Sequence, residues 1–204
     1  MRARGRPRSF DTEAAQQSIM QVFWRKGYAA TSLDEIASAT GLSRPSLYGA
    51  FGDKLDMYLM SLSLFAQHMV RTALSALDKG RTLKTALIGF YGAVIEVYTG
   101  DQKDEAGLGC MVFANALADA PTNDRIRQAV NSFLDDLHTD LADRLRALAP
   151  QASKGEIRIA ATLAASNLIN LAVHARAGAD RKTLVQMSRD TAKAIDQVLS
   201  DPVR

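Results

Sequence analysis

The chain has 204 residues, of which 47% are hydrophobic, with 5 prolines and 13 glycines. This length fits a small domain joined to a larger one, and scarce proline with a helical rhythm of apolar residues predicts an all-α fold. A single cysteine excludes an internal disulfide, no signal peptide is recognisable, and the apolar run around residues 86–95 is too short for a bilayer. We therefore expect a cytoplasmic protein with no membrane partner.

The excess of positive charge lies at the N-terminus. Residues 1–54 carry eight Arg or Lys against five Asp or Glu, whereas residues 55–204 carry seventeen of each. A basic head on a neutral body is typical of proteins that bind nucleic acid. We predict a DNA-binding domain at residues 1–54 and a second domain at residues 55–204.

Three short helices are predicted in the head. The first covers residues 11–26 and ends at Gly27. Thr31 or Ser32 caps the second helix, which ends at Gly41, and a third helix follows to about residue 50.

The second and third helices have the spacing of a helix-turn-helix. With Leu33 as the first position, Ala37, Gly41 and Leu47 fall where the motif needs a small residue, a glycine and an apolar anchor. The outward side chains of the third helix are polar or basic rather than acidic, which is expected of a helix that lies in a major groove. These side chains are Ser43, Arg44, Ser46 and Tyr48.

Six more helices are predicted in the body. The fifth carries a regular apolar stripe and starts near Thr82, and the polar stretch 99–107 is predicted to be a loop. The approximate ranges are 54–77 for the fourth helix, 82–98 for the fifth, 109–118 for the sixth, 126–148 for the seventh, 154–177 for the eighth and 180–199 for the ninth.

Two segments, ARGRPRSF and VFWRKGYAATSLDEIASATGLSRPSLYGAFGDK, are similar to the head of tetracycline-repressor (TetR) family regulators. The resemblance covers about residues 4–54, and beyond it only the order and length of the helices match. It implies an all-helical homodimer that binds a palindromic operator, with an inducer pocket in helices five to seven and the last two helices pairing between protomers. Many members have His where this chain has Ala50, so one phosphate contact is expected to be missing.

The resemblance also implies which residues meet DNA. Arg44, Pro45, Ser46, Tyr48 and Gly49 would contact bases or backbone, next to Ser43, while Thr31 and Lys54 would contact phosphates. Alternatives stay open for Tyr48, as a ring that braces the head, and for Lys54, as a solvated surface lysine. Arg4 and Arg6 are either an arm that enters the minor groove or a plain basic tail.

A dimer interface is predicted on the last two helices, where small side chains allow close approach. The predicted residues are Ile157, Ala160, Ala161, Ala164, Leu168 and Leu171 on the eighth helix and Leu184, Met187, Thr191 and Ile195 on the ninth. The alternative is that both helices bury these faces inside one subunit.

A ligand pocket is the hypothesis for a set of mostly aromatic and apolar residues, with ordinary core packing as the alternative. The set comprises Phe90, Tyr91, Val94, Cys110, Phe113, Phe133 and Leu137. Asn167, Asn170 and His174 recur at i, i+3 and i+7, so they are expected to share one face that meets a ligand, a dimer mate or other protein groups.

Cys110 follows the polar loop at the predicted start of the sixth helix. A helix N-terminus lowers a thiol pKa, which would suit a redox or electrophile sensor, and the alternatives are pocket lining and plain packing.

No enzyme motif accompanies these patterns. The three histidines are scattered, and the sequence has no zinc-protease, nucleophile-elbow or phosphate-loop signature. The sequence therefore predicts a non-enzymatic repressor that uses no cofactor or metal, with operator DNA, itself and a small-molecule inducer as partners. An activator or a regulator without a ligand is the alternative, since both would share the DNA chemistry.

Overall fold

The structure is a computed structural model that describes residues 10–100 and 107–200. Every regular element in those residues is helical, which confirms the all-α prediction. The helices are α1 (Thr12–Ala30), α2 (Leu33–Thr40), α3 (Arg44–Phe51), α4 (Lys54–Asp78), α5 (Leu83–Thr99), a π-helical segment (Val112–Ala116) that continues into α6 (Leu117–Asp119), α7 (Asp124–Leu148), α8 (Lys154–Arg176) and α9 (Arg181–Ser200).

The chain divides into two compact units, Met1–Leu64 and Phe65–Arg204, so the division falls inside α4 rather than at residue 54. The physical reason is that the first turns of α4 belong to the core of the head. Tyr58 is fully buried there, and its ring centroid lies 5.0 Å from that of Phe23 and 5.2 Å from that of Tyr28.

The helices of the head begin at side chains that accept hydrogen bonds from free backbone amides. Asp11 caps α1, and Ser32 caps α2 in a reciprocal capping box with Glu35. Gly27 ends the regular part of α1 with φ of 77°, a conformation that disfavours any other residue. Gly41, with φ of 69°, makes the turn of the helix-turn-helix, as the spacing predicted.

The body is organised around α8, which packs against α5, α7, α9 and the π-helical segment. The predicted stripe of α5 is buried from Leu87 onward, and Thr82 caps that helix as expected. By length and composition, α8 is the one helix among the described residues that would be able to cross a membrane. Half of its most apolar window is buried inside the protein, as in the central helix of a helical domain.

The predicted dimer interface differs from the structure, in which most of its side chains pack inside one protomer. Eight of the ten proposed side chains are buried within the protomer, because α5, α7 and α9 cover that face of α8. They are Ile157, Ala160, Ala161, Ala164, Leu168 and Leu171 on α8 and Leu184 and Ile195 on α9. Only Met187 and Thr191 keep partial exposure. These small residues let α8 approach the other helices of its own subunit.

Candidate nucleic-acid interface

The third helix of the head, α3, presents a continuous exposed surface. Its apolar side chains Leu47 and Phe51 are buried, which turns the polar side of the helix outward. Six of the predicted DNA-contacting residues are exposed together at this surface: Ser43, Arg44, Pro45, Ser46, Tyr48 and Gly49. Arg4 and Arg6 lie outside the described residues.

The start of α3 is held by Ser43. Its side chain accepts a hydrogen bond from the backbone amide of Ser46, and the two hydroxyls lie 2.9 Å apart. Pro45 occupies the first turn, where its missing N–H has no intrahelical partner to lose. The first turn of α3 is therefore fixed in place, and the backbone amides at its N-terminus favour an anion such as phosphate.

Arg44, the first residue of α3, is paired with Asp34 in the first turn of α2. Its Nε donates to Asp34 Oδ1 at 2.8 Å, and its Nη2 donates to Asp34 Oδ2 at 2.5 Å. This hydrogen-bonded carboxylate raises the pKa of Arg44 above its usual value, so the guanidinium stays charged. Asp34 was not predictable as a functional residue from the sequence, since ten positions separate it from Arg44.

Tyr48 and Gly49 continue the same surface. Tyr48 is 48% exposed, which gives its ring a solvent-facing edge. A Cβ atom built on Gly49 would meet nothing within 4 Å. Packing within the protein therefore does not require glycine there, and the absence of a side chain leaves the backbone open to a close approach from outside.

The two predicted phosphate contacts have different surroundings. Thr31 is buried, and its hydroxyl donates to the Gly27 carbonyl oxygen at 2.7 Å, so a phosphate contact through that proton would require this bond to break. Lys54 is partly exposed, and its Nζ lies 4.6 Å from the centroid of the Tyr28 ring. This cation–π contact limits where the ammonium group points, and Tyr28 was not singled out from the sequence.

The predicted pocket residues of the body are all buried. The Phe113 and Phe133 rings pack edge-on with centroids 5.6 Å apart. Of the expected polar face of α8, Asn167 is buried and its Oδ1 accepts from Asn170 Nδ2 at 3.5 Å, whereas Asn170 and His174 are exposed. The Nδ2 atom of Asn167 has no hydrogen-bond partner among the described residues.

Cys110 does not have the environment expected of a sensor thiol. It is fully buried, and burial raises its pKa to about 11 although the backbone amides of Phe113 and Val112 favour the thiolate. Gly109 before it packs so closely on α8 that an added Cβ would lie 2.5 Å from the Ala172 carbonyl oxygen. The expected lowering of the thiol pKa is therefore wrong, because loss of hydration outweighs the amide hydrogen bonds.

This burial predicts a slow thiol. At pH 7.5 fewer than about one in a thousand Cys110 side chains would be ionised. We expect N-ethylmaleimide to modify the native protein at least roughly 100-fold more slowly than the urea-unfolded chain, with operator binding unchanged meanwhile, as followed by mass spectrometry. A Cys110→Ala variant measures background labelling. Rapid modification that releases DNA from the native protein but not from Cys110→Ser would restore the sensor hypothesis.

Among residues 10–100 and 107–200, no group of three or more His, Cys, Asp or Glu side chains is placed to hold a metal ion. The arrangement in the head is instead that of a small helical unit whose last short helix exposes a polar, cationic face. Such a head joined to a larger helical body defines a helix-turn-helix regulator.

Comparison with known proteins agrees with this class. The family model for bacterial regulatory proteins of the tetR family matches residues 17–59. The HTH-type transcriptional repressor ComR of Escherichia coli K12 is 30% identical over 64% of this chain and 61% of its own length. The HTH-type transcriptional activator FasR of Mycolicibacterium smegmatis is 36% identical over 35% of this chain and 34% of its own. The chain thus spans about three fifths of the first curated relatives it matches.

A solved structure matches nearly the whole chain. It is a cysteine mutant of the TetR family transcriptional regulator CifR in complex with a 26-base-pair double-strand operator DNA. The two chains are 26% identical, with a TM-score of 0.80 over 93% of this chain and 99% of CifR. Residues 17–59 therefore match the DNA-binding domain of the TetR family of bacterial regulators, and the fold of nearly the whole chain is similar to that of a TetR family transcriptional regulator.

Proposed function

We propose that this protein is a ligand-responsive repressor that binds a palindromic operator as a homodimer and releases it when an inducer binds. The observation that carries the proposal is the exposed face of α3, with Arg44 at its N-terminus and Tyr48 and Gly49 beyond it. A helix of this kind enters the major groove, and its first residues reach base edges. The CifR complex with operator DNA supports the same use of this fold.

Dimerisation is proposed through the exposed face of α8 instead of the buried one. Large apolar side chains are exposed there at Ile159 (41%), Ile169 (38%) and Val173 (57%), with Thr162 and Ser166 between them. These five positions follow i, i+3, i+7, i+10 and i+14, the spacing of a seam between two helices. The small Thr162 and Ser166 side chains permit close approach, and the most fitting occupant is α8 of a second copy.

A second copy is favoured because the operator of a two-fold regulator contains two half-sites. In a self-complementary interface the same face meets itself, so one row of apolar residues serves both protomers. The two α3 helices would then lie about 34–36 Å apart on the bound DNA, one helical turn.

The inducer is proposed to bind in the body beside Asn167 and to be electrically neutral. The buried polar side chains among the described residues are all uncharged, namely Thr31, Ser61, Asn115, Asn167 and Ser188. A charged ligand would lack a buried counter-charge, whereas a carbonyl or hydroxyl oxygen would accept from the Asn167 amide nitrogen. The aromatic residues around α5 and α7 would supply the apolar contacts.

The test combines DNA selection with a reporter. The purified protein is expected to enrich an inverted repeat from a pool of random duplexes, and a promoter carrying that repeat should be more active when the gene is deleted. Lower activity after deletion would indicate an activator, which FasR among the relatives makes the specific alternative. Failure to enrich any sequence would contradict operator binding. A panel of neutral and charged small molecules, tested for release of the selected DNA, examines the inducer class.

A further inference from the structure

The pair formed by Asp34 and Arg44 links the two helices of the helix-turn-helix motif at the DNA-facing surface. Asp34 lies in the first turn of α2 and Arg44 is the first residue of α3, and both oxygens of the carboxylate accept from the guanidinium. The Asp34 side chain is 72% exposed and that of Arg44 is 54% exposed. Ion pairs this exposed contribute little to folding, so stability alone does not account for the two-pronged geometry.

The pairing occupies only one edge of the guanidinium. Arginine has five N–H donors, and the two that meet Asp34 are the Nε–H and one of the Nη2 hydrogens. The opposite edge, formed by Nη1 and the second Nη2 hydrogen, is not used by Asp34. That edge is a fork which matches the O6 and N7 acceptors of a guanine in the major groove.

We propose that Asp34 is a positioning residue for base recognition, which holds the Arg44 guanidinium so that its free edge points from the start of α3. The inference rests on the proposed operator binding. An arginine held in one orientation loses less side-chain entropy when it meets its base. The negative charge of the carboxylate also repels DNA phosphates, which weakens binding to every sequence. Its hold on Arg44 strengthens binding only to the sequence that Arg44 recognises.

The experiment compares the selected operator with a random duplex of the same length, at one salt concentration. Asp34→Asn keeps the size of the side chain but removes its charge and the second accepting carboxylate oxygen. We expect affinity for the operator to fall about 10-fold, while affinity for random DNA stays equal or rises up to about threefold. The ratio of the two affinities, the specificity ratio, should therefore fall by roughly 10- to 30-fold.

Matched variants separate positioning from charge. Glu13→Gln removes the same charge from the first turn of α1, and we expect it to change both affinities alike. Asp34→Glu keeps a carboxylate at this position, so its specificity ratio should be higher than that of Asp34→Asn. In Arg44→Ala, adding Asp34→Asn should produce no further loss of specificity, because the residue to be positioned is absent. Thermal unfolding followed by circular dichroism verifies that each variant is folded.

Three outcomes would overturn the inference. Tighter operator binding by Asp34→Asn would show that Asp34 competes with DNA for Arg44 instead of positioning it. A change identical to that of Glu13→Gln would reduce Asp34 to one surface charge. A loss of specificity that persists undiminished in the Arg44→Ala background would show that Asp34 acts without Arg44. Failure of the unmodified protein to select DNA would contradict the proposed function itself, and the inference with it.

Discussion

Ile169→Glu is expected to convert the proposed dimer into a monomer and to abolish high-affinity operator binding. In a two-fold dimer formed through this face of α8, each substitution would occur twice, so two carboxylates would be buried among Ile159, Val173 and their copies. A central interface residue changed in this way weakens dimerisation by roughly 100-fold or more. Sedimentation equilibrium measures the dimer, and fluorescence anisotropy with the selected operator measures DNA binding.

The matched control for this prediction is Ile88→Glu. Ile88 on α5 and Ile169 on α8 are both 38% exposed, so the same substitution has a similar direct effect on folding at either site. Only the variant on the α8 face should become monomeric. A dimeric Ile169→Glu protein would place the interface elsewhere. Ala164→Glu would not test the interface, because Ala164 is fully buried and its carbonyl oxygen accepts from the Tyr91 hydroxyl, so a charge there would unfold the subunit.

The elements of the fold were predictable where a local rule decides them. Ser32 and Thr82 each accept from a backbone amide at the start of a helix, and both helices begin where the sequence predicted a capping residue. The sixth helix was less regular than expected, because its first part is π-helical at Val112–Ala116. Nothing in the composition of that short segment distinguishes the two kinds of helix.

The partner of a buried face was not predictable. Periodicity on α8 identified the face that carries Ala160, Ala164 and Leu168 as one that packs against a helix, but it did not say which helix. In the structure that face packs against α5, α7 and α9 of the same subunit. The opposite face, with Ile169 and Val173, has the weaker apolar pattern and is the exposed one.

The candidate DNA surface shows the same limit. The identity of Arg44 and its place in the first turn of α3 followed from the sequence, because the motif fixes the register of that helix. Its contact with Asp34 did not follow, since the turn between α2 and α3 brings together residues from different helices. The cation–π contact of Lys54 with Tyr28 was missed for the same reason.

Arg44→Ala is expected to remove most of the sequence discrimination of the protein. An arginine that donates to guanine O6 and N7 supplies a large share of the preference at that base pair, so affinity for the operator should fall about 10- to 100-fold. Random DNA has no guanine fixed opposite Arg44, so the affinity of the protein for random DNA should fall much less. Anisotropy titrations of the two duplexes at several salt concentrations measure both effects.

Two substitutions and one altered base make the Arg44 prediction specific. Arg44→Lys keeps the charge but lacks the forked pair of donors. It should therefore keep the affinity for random DNA and lose the additional affinity for the operator. Lys54→Ala should weaken binding to the operator and to random DNA alike. It should also reduce the magnitude of the slope of log affinity against log salt by about one. An operator with 7-deazaguanine at the contacted position lacks N7. The unmodified protein should bind this operator more weakly than the natural one, whereas Arg44→Ala should bind both equally. If Arg44→Ala weakens operator and random DNA equally, Arg44 contacts phosphate instead of a base.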